Sequence, residues 1–325
     1  MTEDPTSLGR RTFLALTAAT LWPRFARGQP ARPLPRIGWF STDREPDPFL
    51  DGFREGLRRH GYVEGEHVVL ELRYGSVDSL RAAVADVKSR VAFVVAAGPA
   101  VRALRGTGDV AVLFAISGDP IAAGLATSLA NPGRNFTGIT FLSLEVAAKR
   151  VQLLKEAVPR MRTLAVLSNV DHPGELAERR ATEMAAQALG LTLTYVAFTG
   201  ATELEQGFRA VRAARPDAMI VFPEGATVAN RAKVAEFAVA QRLPAMFGWS
   251  EYVDAGGLMS YGANVRDAYV HLGRYADRLL HGAKPADLPI VQPTDFELVV
   301  NVRTAKVLDV TIPPAIAMRA TRLIE

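Results

Sequence analysis

From Arg36 onward, short β-branched apolar runs alternate with longer segments in which apolar residues recur every three or four positions. That alternation predicts an α/β fold. Strands are expected at 37–41, 68–73, 91–97 and 110–116, with helices at 48–60, 78–90 and 99–104 between them. The first helix places Phe49, Phe53 and Leu57 four apart on one face and stops at Gly61. A second series follows a helix at 144–158, with strands at 164–168, 191–198, 218–222 and 245–247 and helices at 174–189, 202–214 and 227–241. Near-continuous apolar strands such as 91–97 and 219–222 require a sheet covered by helices on both faces. The expected architecture is therefore two doubly wound parallel-sheet lobes. A closing strand at 258–261, a helix at 267–281 and a strand at 296–301 are too small for a third domain and must add to the first two. The chain then crosses between lobes near 140, 257 and 290. Residues 36–140 with 258–289 are assigned to lobe 1, and 141–257 with 290–325 to lobe 2.

The N-terminal segment breaks this pattern and changes the charge argument. Arg10 and Arg11 run into an apolar stretch of about ten residues ending near Trp22, inside the range of an export signal and short of the roughly 20 residues a spanning helix needs. Residues 1–28 are read as a removable signal of the twin-arginine kind, cleaved after Ala26-Arg27-Gly28, and Pro-rich 29–35 as a tether. The signal carries a net +2 of the chain's +4, from Arg10, Arg11, Arg24 and Arg27 against Glu3 and Asp4. The mature chain is then nearly neutral, with no basic footprint for nucleic acid and no polybasic anchor for a membrane. There are no cysteines, which removes disulfides, thiolate metal sites, a thiol nucleophile and a lipid-bearing N-terminal Cys together. A periplasmic monomer fits these observations.

In open parallel sheets ligands bind beyond the carboxyl ends of the strands. The residues found there are mostly small and polar: Ser41-Thr42-Asp43, Gly98-Pro99-Ala100 and Ser117-Gly118-Asp119-Pro120 in the first series. Each is placed to open a helix, where free N–H groups favour an anion, and each fits ordinary N-capping equally well. The second series offers Ser168-Asn169-Val170-Asp171, Pro223-Glu224-Gly225 and Gly248-Trp249-Ser250-Glu251. Glu224 and Glu251 are candidates for a ligand ammonium, or are solvated acids in a first helical turn. Trp39, Trp249, Tyr252 and Tyr261 fall near turns and are either flat walls for a flat ligand or packing between lobes. No phosphate loop, G-x-S-x-G elbow, H-E-x-x-H or dinucleotide fingerprint occurs, and His60, His67, His172, His271 and His281 show no ligand spacing. Neither an enzyme nor a metal or cofactor protein is expected.

Several segments together resemble the ABC-transporter substrate-binding proteins of the tryptophan/tyrosine-binding type. They are 49–65, the Gly118-Asp119-Pro120 turn, 130–138, the helix at 149–159, the stretch Ala255-Gly-Gly-Leu-Met-Ser-Tyr-Gly262 and the stretch Pro293-Thr-Asp-Phe-Glu-Leu-Val-Val-Asn301. The resemblance implies a type I periplasmic binding fold, two lobes joined by a three-strand hinge, which closes on an aromatic amino acid or related carboxylate and delivers it to an inner-membrane permease. By position it implies Gly98, Pro99, Ser117, Asp119 and Thr140 facing the cleft from one lobe, Asn169, Glu224 and Trp249 from the other, and Tyr261 at the hinge; Ser41 joins them on the strand-end argument. Two departures stand out: the family's Gly-Gly-Thr-Pro-Ala turn reads Ala96-Ala97-Gly98-Pro99-Ala100, which removes a hydroxyl, and its Asn-Pro reads Asn169-Val170. A periplasmic sensor feeding a membrane receptor, or an exported hydrolase or isomerase, are the alternative readings of the same chain.

Overall fold

The computed structural model describes residues 33–42, 47–141, 144–170 and 174–325. The proposed signal and most of the tether lie outside these residues. The first lobe is built on β1 (Arg36–Ser41), α1 (Pro48–Arg59), β2 (Val69–Tyr74), α2 (Val77–Val87), β3 (Phe93–Ala97), β4 (Val112–Ile116) and β5 (Phe136–Thr140), with a tight 3₁₀ helix at Gly98–Leu104. Its five strands run in the order β2-β1-β3-β4-β5, all parallel. The central strands β3 and β4 are buried along their whole length, as their unbroken apolar sequences require.

The second lobe contains α3 (Leu144–Ala157), β6 (Thr163–Asn169), α4 (Glu175–Ala188), β7 (Thr192–Phe198), α5 (Leu204–Ala214), β8 (Ala218–Val221), α6 (Gly225–Ala229), α7 (Arg231–Ala240), β9 (Ala245–Phe247), α8 (Glu251–Asp254) and β10 (Met259–Ala263). The strands β7-β6-β8-β9-β10 repeat the order of the first sheet, and β11 (Phe296–Asn301) and β12 (Arg322–Ile324) extend it to seven. β11 runs antiparallel to β10, so this sheet is mixed at one side. In both lobes the strand order reverses beside the first strand, which opens a crevice at the carboxyl ends of β1 and β3, and of β6 and β8.

Residues 258–263 were expected in lobe 1, but β10 hydrogen-bonds to β9 and β11 and belongs to lobe 2. A short buried strand reads the same in either sheet, so its sequence did not assign it. The return to the first lobe comes with α9 (Val265–Leu280), and Val291 still pairs with Ile139 of β5 through a bridge. The Thr137 hydroxyl donates to the Leu288 carbonyl at 2.6 Å and Tyr275 Oη to the Pro289 carbonyl at 2.6 Å, tying this segment to the first lobe. The crossovers therefore fall after Phe141, which was expected in lobe 2 but whose N–H donates to the Ile116 carbonyl of β4, between Ala263 and Val265, and between Val291 and Phe296. The C-terminal α10 (Val302–Val307) and α11 (Pro314–Arg319) close the second lobe.

β5 was not expected because its sequence, Phe-Thr-Gly-Ile-Thr, carries a glycine at its centre. Gly138 sits at φ 149°, and a Cβ there would lie 2.0 Å from the Phe114 carbonyl oxygen, so close approach to β4 requires glycine. The helix expected at 227–241 divides at Asn230 into α6 and α7.

Two helices fix the first-lobe wall of the cleft. α1 starts at Asp47, whose carboxylate accepts from the Phe49 and Leu50 backbone N–H groups and from Trp39 Nε1 at 2.9 Å. Burial raises the Asp47 pKa, opposed by these three hydrogen bonds. α1 and α9 then cross at Gly56 and Gly273: a Cβ on Gly56 would lie 2.3 Å from the Val270 carbonyl oxygen, and one on Gly273 2.2 Å from the Gly56 carbonyl carbon. Larger residues at either position would push the helices apart. On the outer face of α1, Arg54, Arg58 and Arg59 pair with Asp51, Glu55 and Glu64.

Candidate binding site

A pocket lies between the lobes, at the crevice formed by the carboxyl ends of both sheets. The first lobe contributes Phe49 from the first turn of α1, Gly98 and Pro99 after β3, Ala115 and Ser117 at the end of β4, Phe141 after β5, and Val265 and Tyr269 from the start of α9. The second contributes Glu224 and Gly225 after β8 and Trp249 after β9. Almost every contributor therefore sits just beyond a strand's carboxyl end or in a helix's first turns.

The walls are aromatic. Phe49 stacks on Tyr269 with centroids 4.9 Å apart, Trp249 meets Phe49 edge-on at 6.2 Å and Phe141 edge-on at 5.8 Å. The Phe49–Trp249 and Phe141–Trp249 contacts cross the cleft. The lobes also touch where the Ser117 hydroxyl donates to the Pro223 carbonyl at 3.4 Å, and where Gly174 approaches so closely that a Cβ on it would lie 2.3 Å from the Ser117 carbonyl oxygen.

Glu224 is 2% exposed and its position is over-determined. Its carboxylate accepts from Thr227 N at 2.5 Å, Ala226 N at 2.9 Å and Asn169 Nδ2 at 3.2 Å, and Asn169 Oδ1 in turn accepts from Gly200 N. The turn that follows is pinned by Tyr252, whose hydroxyl donates to Thr227 Oγ1 at 2.6 Å. Capping and pocket lining are thus combined in one residue.

Of the ten residues singled out in the sequence, Gly98, Pro99, Ser117, Glu224 and Trp249 line the pocket. Asn169 stands behind Glu224 and orients it. Thr140 is buried and donates to the Gly118 carbonyl at 2.7 Å, which shapes the loop carrying Ser117. Asp119 caps its own turn through Ile121 N and Ala122 N. Ser41 is buried at the end of β1, while the cap of α1 is Asp47 and not Ser41. Tyr261 lies in β10 with its ring against Phe296 and its carbonyl accepting from Arg150 Nε, outside the pocket lining. Trp39 and Tyr252, read as possible ligand walls, are fully buried core residues. Glu251 is also outside the lining; burial, with Glu297 and Asp254 nearby, raises its pKa.

Phe49, Phe141 and Tyr269 were not foreseen. Phe49 shares the apolar stripe of α1 and reads as core, Phe141 follows the unforeseen β5, and Tyr269 sits on the buried stripe of α9. The missing signal was their position in a first helical turn or just past a strand, at the crevice end of the sheet.

Residues 46–324 match the family model described as ABC transporter substrate binding protein. The chain belongs to this family. Among curated relatives, it is 22% identical over 272 residues to the Tyrosine-binding protein of Clostridioides difficile (strain R20291), covering 81% of this chain and 78% of that one. Among solved structures, an ABC domain in complex with L-Trp from Streptococcus pneumonia superposes with a TM-score of 0.82 at 24% identity, over 90% of this chain and 100% of the other. The ligand-free, open structure of a substrate binding protein with adhesive properties from Clostridium difficile gives a TM-score of 0.63 at 22% identity, over 90% of this chain and 99% of that one. These likenesses agree with the two-lobed α/β architecture. Among the described residues no helix is long and apolar enough to cross a membrane.

Proposed function

We propose that this substrate-binding protein is the extracytoplasmic component of an ABC importer, exported by the signal at 1–28, working as a periplasmic monomer, and passing one small organic solute to an inner-membrane permease. The observation that carries this reading is the pocket itself, whose aromatic and polar lining comes from the strand ends of both lobes. Solute contacts to both lobes would favour the closed arrangement by their differential affinity, with the three crossovers as the hinge. Gly98, Pro99, Ser117, Glu224 and Trp249 are proposed as contact residues, with Phe49, Phe141 and Tyr269 added. Thr140, Asn169, Ser41, Asp119 and Tyr261 are proposed to act through the backbone and side chains they hold. The relatives' tyrosine and L-Trp make aromatic amino acids and related carboxylates the first class to test. No covalent chemistry is required of the protein.

The test is the melting temperature of the purified protein against a panel of amino acids, aromatic acids, amines and simple sugars. Solute at 100 times its dissociation constant adds about 2.7 kcal/mol to the folded state, a rise of several degrees at this size. A rise confined to one chemical class supports the reading. Consumption of a panel compound would replace it with the enzyme alternative.

A further inference from the structure

We propose that Asp47 is a positioning residue for the solute site: through the Trp39 indole its buried carboxylate sets where the Phe49 and Tyr269 rings stand. This rests on the reading of the inter-lobe pocket as that site. Asp47 is 4% exposed and lies outside the pocket lining, so it acts through the groups it holds.

Its two oxygens face different elements. Oδ1 accepts from the Phe49 and Leu50 backbone N–H groups at 3.0 and 3.2 Å, which fixes the first turn of α1 and with it Phe49. Oδ2 accepts from Trp39 Nε1 at 2.9 Å, at the sheet. Trp39 is fully buried in β1; its ring stacks on Phe53 of α1 at 5.6 Å and tilts against Tyr269 of α9 at 5.9 Å. Tyr269 in turn stacks on Phe49 at 4.9 Å. The contacts close a circuit from Asp47 through Trp39, Tyr269 and Phe49 back to Asp47. It joins β1, α1 and α9, and both Phe49 and Tyr269 line the pocket.

Helix capping alone does not call for a carboxylate here. Ser76, Asn264 and Asn301 cap α2, α9 and α10 with a single neutral oxygen, and Asn301 does so while buried. A buried carboxylate carries a desolvation cost that those side chains avoid. What it adds is a second acceptor oxygen, where asparagine has a donor and serine has nothing. Indole N–H is a donor only, and left without an acceptor in the core it costs free energy. The carboxylate therefore serves the cap and the indole together, and the indole is the surface against which Tyr269 rests. Binding geometry is only as exact as the packing and hydrogen bonds behind it.

The test separates the two oxygens. Asp47→Ser keeps an acceptor for the cap and removes the one for Trp39; Trp39→Phe removes the donor. Calorimetry with L-tryptophan and L-tyrosine gives affinities, and near-ultraviolet circular dichroism of the solute-free protein reports how the rings are packed. We expect Asp47→Ser to bind about tenfold more weakly, with an altered ring spectrum and a melting temperature close to that of wild type. The double variant should lose no more affinity than Trp39→Phe alone, because the two residues act through one bond. If Asp47→Ser does not fold, Asp47→Asn, which also has an oxygen for the cap, takes its place. Wild-type affinity and ring spectrum in the Asp47 variant, or losses that add in the double variant, overturn the proposal. Wild-type protein that binds neither amino acid counts against the solute reading, and the solute-free ring spectrum then judges Asp47 separately: a changed spectrum upholds its positioning role and an unchanged one overturns it.

Discussion

The two lobes share one strand order yet bring different chemistry to the cleft. The first presents a rigid apolar wall, Phe49 and Tyr269, set by the crossing of α1 and α9, with turn backbone at Gly98 and Pro99. The second presents one acid and one indole, Glu224 and Trp249, with the acid fixed by Asn169 and by the turn that opens α6. Topology repeated the crevice in both halves, and among the described residues the side chains differ: one lobe lines it with rings and turn backbone, the other with an acid and an indole. The carboxyl ends of parallel strands explain the first fact, and nothing in the fold dictates the second.

The sharpest way to break this division is to disturb the first-lobe wall from behind. Gly56→Ala puts a methyl into the Val270 carbonyl, a backbone atom that cannot move aside locally, and should cost about 3 kcal/mol by overpacking. Denaturant unfolding should show a lower midpoint, and a variant as stable as wild type would mean that the helix crossing does not set the wall. On the second-lobe side, Trp249→Ala removes a ring that touches both Phe49 and Phe141. Solute affinity should fall by about 2 kcal/mol, roughly thirtyfold, read by calorimetry.

Contact between the lobes can be separated from the integrity of either. Gly174 has an ordinary φ of −102°, so alanine is permitted there, but its Cβ would meet Ser117 of the other lobe. Gly174→Ala should weaken solute binding about tenfold, or 1.4 kcal/mol, and leave the solute-free melting temperature near that of wild type. Equal affinity in the two proteins would argue that closure does not bring Gly174 against Ser117.

The smallest effect is confined to acid. Glu71 is held at about 2, below its ordinary 4.5, by hydrogen bonds from Arg90 and Arg36 that outweigh its burial. A lowered folded-state value gives stability present above pH 4.5 and lost as pH falls toward 2. Glu71→Gln should flatten stability in that window alone, seen as converging midpoints of variant and wild type at low pH.

Much of this arrangement was legible beforehand, because buried parallel strands and amphipathic helices impose periods on the chain. The pocket's location followed from the strand ends, and Trp249, Glu224 and Ser117 are among its lining residues. Three kinds of information were not available from periods. Gly138 makes β5 look like a turn, which hid Phe141. β10 pairs with β9, and its sequence does not say so. Thr140 and Asp119 present polar groups at the right ends of the right elements, but Thr140 binds the Gly118 carbonyl and Asp119 its own turn, a matter of distances that sequence spacing does not contain.

The central claim is that one solute is held by both lobes together. The most direct measurement is a crystal structure of the protein with the tightest-binding compound from the melting panel. The account predicts that compound in the cavity between Phe49, Trp249 and Glu224, touching residues of both lobes. A compound bound elsewhere, or touching one lobe alone, would contradict it.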